Sequence, residues 1–140
     1  MDNIITGIKM AFGVISGAVA QLLGGWDAWL STLIVLIVLD FITGILKAVL
    51  LKSEKTNKGG IDSRIMFRGG IKKLMIFVII ALASVADKII MPDGECIRSI
   101  TAGYYIASEG LSIIENAGAC GLPLPKKLVS VLEQLKEKNA

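Results

Sequence analysis

A single carboxylate, Asp40, lies near the middle of an almost unbroken apolar stretch, residues 29–51 (WLSTLIVLIVLDFITGILKAVLL). Thr43 and Lys47 follow at positions i+3 and i+7, so on a helix the three polar side chains form one narrow stripe. A carboxylate at mid-depth in a bilayer is costly and normally faces protein or water rather than lipid. The stripe therefore predicts either a polar contact between helices or the lining of a pore.

A second polar stripe lies on residues 98–118, which form a helical pattern with an apolar face opposite. We expect the two stripes to meet in an oligomer, as a sealed interhelical contact or as the lining of a hole. A structural contact within one protomer is the alternative. The side chains expected to take part are Asp40, Thr43, Lys47, Glu109, Ser112, Glu115 and Asn116.

The chain offers little material for enzyme chemistry. Its 140 residues include no His, and its two Cys, Cys96 and Cys120, lie on either side of the stretch 98–118. Nucleophilic catalysis and transition-metal binding draw mainly on His, Cys and clustered carboxylates. The sequence therefore predicts no catalytic residue, no metal and no cofactor.

The composition favours an integral membrane protein. Hydrophobic residues make up 54% of the chain and charged residues 19%, with a mean hydropathy of +0.69. An unusually apolar soluble helical bundle is the alternative. The 15 Leu, Ile, Val and Phe residues of 28–51 are worth about −4.5 to −9 kcal/mol for membrane insertion. Asp40 does not cancel that gain, so this segment is expected to span.

We predict one all-α membrane domain, residues 1–140, with three or four transmembrane helices and a cytoplasmic amphipathic C-terminal helix. The segment 4–23 either crosses the membrane or lies at its surface. Seven basic and two acidic residues give the loop 52–73 a charge of +5, which places it in the cytoplasm. The C-terminus then also falls in the cytoplasm. The predicted helices are about 4–23, 28–51, 63–91, 97–119 and 125–138.

Small residues recur at helical spacing and predict close helix packing. Gly13 and Gly17 form a G-x-x-x-G pair, which Gly24 extends further along the chain. Gly103 and Gly110 are seven residues apart on the predicted fourth helix. These glycines and Gly44, which lies beside the Asp40 stripe, are the expected packing positions.

The basic segment suggests contact with lipid headgroups. On a helix that begins near residue 63, basic side chains at a spacing of four suit anionic lipids; plain topogenic charge is the alternative. The candidate residues are Arg64, Arg68, Lys72 and Lys73. No aromatic platform interleaves them, so nucleic acid is not an expected partner. The C-terminal apolar positions, such as Leu128 and Leu132, are expected to pack on the membrane surface or on a neighbouring subunit; a solvated, partly frayed tail is the alternative.

Four stretches of the chain resemble the toxin-secretion/phage-lysis holin family of phages that infect Gram-positive bacteria. They are VLDFITGILKA (38–48), GGIDSRIMFRGGIKKL (59–74), SVADKII (84–90) and SEGLSIIENAGACGLPLPKKLVSVLEQL (108–135). The resemblance implies a non-enzymatic protein that forms homo-oligomers in the cytoplasmic membrane of the bacterial host. It also implies abrupt lesions that release an endolysin or a toxin, without necessary direct contact with it.

Two other functions remain open from the residues alone. A small proton-coupled multidrug or ion transporter would use one membrane-embedded acid, although an aromatic content of 6% supplies few groups for binding organic cations. A regulatory or scaffold membrane protein would form no pore. Substrate-dependent resistance, lysis with an endolysin, and dye release from liposomes separate the three.

Overall fold

The computed structural model describes residues 1–51, 63–90 and 96–139, and within these ranges every regular element is a helix. The helices are α1 (Asp2–Leu22), α2 (Ala28–Leu50), α3 (Ser63–Ile90), α4 (Cys96–Ala119) and α5 (Lys126–Asn139). The predicted all-helical class is confirmed. The observed bounds differ from the predicted ones by at most two residues. Residues 52–62 of the predicted basic loop lie outside the described residues, and from Ser63 onward the segment belongs to α3.

Two of the described helices, α1 and α2, are long and apolar enough to cross a membrane. Their mean hydropathies are 1.5 and 2.5, and few or none of their residues are buried within the chain. α3 and α4 are long enough but do not combine high hydropathy with so few charged residues. Both carry more charge, with Asp87 and Lys88 near the end of α3 and Glu109 inside α4.

α2, α3 and α4 pack together as a three-helix bundle. α4 runs parallel to α2, because Arg98 near the start of α4 meets Asp27 at the start of α2, and Asn116 near its end meets Thr43. α3 runs in the opposite direction, because Asp87 near its end meets the start of α4. The polar side chains of three different helices are thereby brought into one interior.

The core of this bundle is small and its outside is apolar. Leu30, Leu33 and Ile80 are at most 2% exposed, whereas large apolar side chains such as Val78 and Leu82 of α3 are more than half exposed. A soluble monomer rarely leaves apolar surface exposed on this scale. A bundle that meets lipid has no reason to cover it.

α1 stands apart from the bundle and has no buried residue. It ends at two glycines with positive φ, Gly24 (87°) and Gly25 (97°), a conformation that favours glycine. Asp27 then caps α2, since its Oδ1 accepts a hydrogen bond from the Leu30 N–H at 2.9 Å. Between α1, α2 and α3 lies an apolar groove of about 890 Å³, lined in part by Gly17 and Ala20.

α5 folds back along α4. α4 ends where Gly121 adopts a positive φ of 88°, and the Leu122 N–H donates to the Ala117 carbonyl at 3.2 Å, a common way to close a helix. α5 then packs on the surface of α4 near Gly110. The sequence predicted that this helix would contact a membrane surface or a neighbouring subunit, whereas here it contacts its own chain.

Candidate functional site

A cluster of charged and polar side chains lies inside the bundle, at the middle of α2. We call it the central polar cluster. The Lys73 ammonium lies 2.8 Å from Asp40 Oδ2 and also forms an ion pair with Glu109. The three side chains are only 11–16% exposed. One lysine thus joins α3 to both α2 and α4. The cluster comprises Asp40, Thr43, Lys47, Lys73, Glu109 and Asn116.

The side-chain amide of Asn116 forms the second connection in this cluster. Its Nδ2 donates to Asp40 Oδ1 at 3.2 Å and to Thr43 Oγ1 at 3.3 Å. Its Oδ1 accepts from Lys47 Nζ at 3.4 Å. An amide carries both donors and an acceptor, so one side chain satisfies three partners on α2.

The central polar cluster carries no net formal charge. Two lysines, Lys47 and Lys73, offset two acids, Asp40 and Glu109. Burying an unpaired charge is far more costly than burying a matched and hydrogen-bonded set. Within the described residues, no buried side-chain nitrogen or oxygen lacks a hydrogen-bond partner. The four charges of this cluster therefore find their partners within one protomer, without a second copy of the chain.

The structure brings together five of the seven side chains expected in the polar contact, namely Asp40, Thr43, Lys47, Glu109 and Asn116. They meet within one protomer, which was the alternative to a contact between protomers. Ser112 is half-buried on α4, and Glu115 is exposed. The contact between protomers remains a prediction.

Lys73 takes a different place from the other basic residues assigned to lipid headgroups. Arg64, Arg68 and Lys72 are exposed on α3, whereas the Lys73 ammonium points into the bundle. One step along a helix turns a side chain by 100°, which is enough to move Lys73 from the outer face to the inner one. Its cation, which belongs to neither of the two predicted polar stripes, is the one that pairs with Asp40.

A second polar site lies at the end of the bundle where α2 and α4 begin and α3 ends. We call it the Arg98 cluster, and it comprises Asp27, Asp87 and Arg98. Arg98 is 1% exposed. Its guanidinium donates to both oxygens of Asp27, at 2.6 and 3.2 Å. It also donates to the backbone carbonyls of Leu23 at 2.5 Å and Gly25 at 3.3 Å. One arginine of α4 therefore fixes the turn between α1 and α2.

The two carboxylates of the Arg98 cluster act on different groups. The Arg98 hydrogen bond is the largest influence on Asp27 and holds the pKa of that carboxyl below its ordinary value. Asp87, on α3, accepts from the backbone N–H groups of Ile97 and Arg98, each at 2.8 Å. Because the first N–H groups of a helix have no partner within it, Asp87 caps α4 from a neighbouring helix.

Gly24 allows this arrangement by its lack of a side chain. A Cβ at this position would lie 2.6 Å from Arg98 Cδ and 2.9 Å from Ser84 Oγ. The expectation that Gly24 continues the packing stripe of α1 is wrong, because α1 ends at Leu22 and Gly24 lies in the following turn. Its role is close approach to Arg98.

The predicted packing glycines fall into three groups. Gly103 and Gly110 face α5, where a Cβ would meet Asn139 and Leu132 at 3.4 Å. Gly44 faces the Asn116 amide at 3.8 Å. Among the described residues, nothing lies within 4 Å of a Cβ at Gly13 or Gly17, so these two glycines have no packing neighbour there.

The sequence did not predict the Arg98 cluster. Asp27 stands directly before an apolar helix, a usual capping position, and this was its one local signal. Arg98 lies 71 residues further along the chain, and no spacing rule relates the two.

Among the described residues, no three His, Cys, Asp or Glu side chains are grouped to hold a metal.

Comparison with known proteins supplies the family. Residues 17–137 match the bacteriophage holin family. An uncharacterized 14.9 kDa protein in the nagH 3' region of Clostridium perfringens is 36% identical over 139 residues, 99% of this chain and 100% of the relative. A protein named as a probable holin in Bacillus phage phi105 is 31% identical over 111 residues, 79% of this chain and 76% of the relative. No solved structure matches. The chain is a member of the bacteriophage holin family.

Proposed function

We propose that this protein is a holin that oligomerises in the cytoplasmic membrane of the bacterial host and opens non-specific holes. The holes release an endolysin or a toxin and lead to lysis of the host cell. The observation that carries this proposal is the family match over residues 17–137. The apolar outside of the bundle and its sheltered charges agree with a protein that rests in a membrane before it acts.

The central polar cluster keeps the Asp40 carboxylate paired within each protomer of the proposed assembly. In one protomer Lys73 and Asn116 engage the Asp40 carboxylate, so water need not reach it. A hole requires some polar surface to face water instead. Moving one elementary charge across the whole membrane is worth about 2.3 kcal/mol per 100 mV, so the membrane potential acts on this neutral cluster only when its paired charges separate. We propose that the balance of charge in this cluster sets when the holes open, which the Asp40→Asn variant below tests.

The proposed topology follows from the positive-inside rule. The basic segment that precedes the bundle and the C-terminus are assigned to the cytoplasm and the Arg98 cluster to the outside. Lys73, the last residue of the predicted basic loop 52–73, is excepted because it lies beside Asp40 inside the bundle. With α3 and α4 crossing beside α2, the protein has three spans, and α1 adds a fourth if it crosses. Arg64 and Arg68, exposed near the start of α3, are then placed to meet anionic headgroups. Lys72 is also exposed, but it is adjacent to Lys73 and therefore lies deeper, near the level of Asp40.

We propose that the Gly13–Gly17 face of α1 packs against another copy of the chain. Both glycines are open in the protomer, and small residues let membrane helices approach closely. Gly17→Ile is expected to reduce cross-linked oligomers in membranes. Gly7→Ile is the matched control, since Gly7 is equally open but lies about 100° away around the helix. Equal cross-linking of both variants and wild type would rule this face out.

The transporter alternative is less well supported. Proton-coupled exchange needs an acid that gains and loses a proton as substrate comes and goes. Here the Asp40 carboxylate is held by an ammonium and an amide. These two partners are enough to explain why Asp40 is buried, without a substrate site beside it.

The deciding experiment is inducible co-expression with an endolysin, together with dye release from liposomes that contain the purified protein. A holin should give sudden lysis and release of dye. Asp40→Asn should change the lysis time at equal expression, because it removes one charge from a balanced cluster. Sealed liposomes and unbroken growth would contradict the proposed function. Unchanged timing with Asp40→Asn would contradict the role of the central polar cluster alone.

A further inference from the structure

α5 lies antiparallel along the glycine-bearing face of α4. Along this face, a Cβ at Gly118 would lie 2.9 Å from Leu124 Cδ1, just before α5. Further along, a Cβ at Gly110 would lie 3.4 Å from the Leu132 methyl carbons. The last contact of the series is Gly103 with Asn139. Leu132 and Asn139 are two of the four half-buried residues of α5, which also include Val129 and Lys136.

This contact takes α5 to the depth of the centre of α2. Gly110 is adjacent to Glu109, and Glu109 shares Lys73 with Asp40, near the middle of α2 (Ala28–Leu50). Leu132 therefore lies at about mid-depth. The seven residues that follow it continue for about 10 Å along α4, toward the end of the bundle that holds the Arg98 cluster.

The outer surface of α5 is charged at this depth. Glu133, Glu137 and Lys138 all follow Leu132 and are exposed, as is the polar Gln134 between them. Charged side chains exposed to hydrocarbon at mid-bilayer are strongly unfavourable, and those found there face protein or water. α2, which packs on the same α4, is a helix apolar enough to span. If α2 spans, the docked α5 needs water on its outer side.

We propose that α5 docked on α4 lines the aqueous lumen of the open hole, with Gln134 and its charged neighbours facing the water. This inference rests on the proposed holin function and adds to it the surface that borders the hole. The glycines of α4 provide the docking face, since Gly110 leaves room for Leu132. When lipid surrounds the bundle, α5 leaves this face for the cytoplasmic side.

A reversible cross-link tests whether the docked state is the open one. Gly110→Cys with Leu132→Cys, in full-length protein whose Cys96 and Cys120 are replaced by Ser, joins α5 to α4 when oxidised. The reduced form of the same variant is the control. Dye release from liposomes should be equal in the two forms. If the reduced form releases dye and the oxidised form does not, α5 must leave α4 to open the hole, and the inference is wrong.

A labelling experiment tests the direction of the outer surface. In protein whose Cys96 and Cys120 are replaced by Ser, Gln134→Cys in leaking liposomes should react with a membrane-impermeant thiol reagent, and a bulky adduct should slow the leak. Leu82→Cys, on the apolar outside of α3 and replacing a side chain that is 63% exposed, should do neither. Equal behaviour of the two variants would overturn the inference while leaving the holin function intact. Absence of dye release from every form, including wild type, would instead overturn the holin function and this inference with it.

Discussion

Arg98 holds together the end of the bundle where α2 and α4 begin. It is almost fully buried, and it holds Asp27 and two carbonyls of the turn between α1 and α2. A buried guanidinium is tolerated only with such partners. Its neighbours therefore have little room for larger side chains, which single substitutions can test.

Gly24→Ala is expected to destabilise the protein more than Gly25→Ala. Both positions have positive φ, which costs a residue with a Cβ about 1–2 kcal/mol. Only at Gly24 would the added Cβ also clash, with Arg98 and Ser84, and overpacking adds about 1–3 kcal/mol. Denaturant unfolding in micelles, followed by circular dichroism, measures the difference. Equal losses would mean that the contact of Gly24 with Arg98 does not matter.

The Asp27–Arg98 pair predicts a stability that depends on pH. Because the pKa of Asp27 is lowered in the folded protein, the pair contributes fully above the ordinary pKa, about 3.9. Its contribution is lost as the pH falls through the lowered folded value. Asp27→Asn should lower the melting temperature at neutral pH and flatten its decline below about pH 4.

Asp2→Asn is the matched control for this pH dependence, since Asp2 is exposed on α1. Its melting temperature should follow that of the wild type at every pH. If the melting temperature falls as steeply below about pH 4 in Asp27→Asn as in the wild type, another carboxylate is responsible for the loss of stability.

At the scale of elements, α3 joins the bundle through Lys73. Lys73→Met leaves Asp40 and Glu109 without their shared cation, and breaking a buried pair in this way costs about 3 kcal/mol. Lys72→Met, at the exposed neighbouring position, should change stability by less than about 0.5 kcal/mol. Thermal unfolding in micelles compares the two variants. Similar values for both would mean that solvent already screens the central polar cluster.

The elements themselves were largely predictable, and their pairing was not. The apolar run of α2 is a local signal, and the helix bounds agree closely with expectation. Gly24 is the exception, because the sequence assigned it to the packing stripe of α1 and it lies in the turn after that helix. The partner of α5 is a different matter. Its apolar positions predicted an amphipathic helix, but Leu128 and Leu135 remain more than 40% exposed while Leu132 packs on α4.

At the scale of the whole molecule, the proposed topology places the two cysteines on opposite sides of the membrane. Cys96 and Cys120 are both free and lie at the start and just beyond the end of α4. In intact cells an impermeant thiol reagent should label Cys96 and leave Cys120 unlabelled until the membrane is opened. A cysteine in place of Asp2 reports the side of the N-terminus. Labelling of both native cysteines from outside would contradict a spanning α4.

The sequence by itself determined the helical class, the approximate helix bounds, the apolar character of α1 and α2, and the polar stripes that contain Asp40 and Asn116. These properties depend on local composition and on a period of 3.6 residues, both of which are readable along the chain. Only the tertiary structure decided that Lys73 neutralises Asp40, that Arg98 reaches Asp27, and that α5 covers the glycines of α4. Each of these contacts joins different helices, and their choice depends on packing and on burial of charge, which no local pattern encodes.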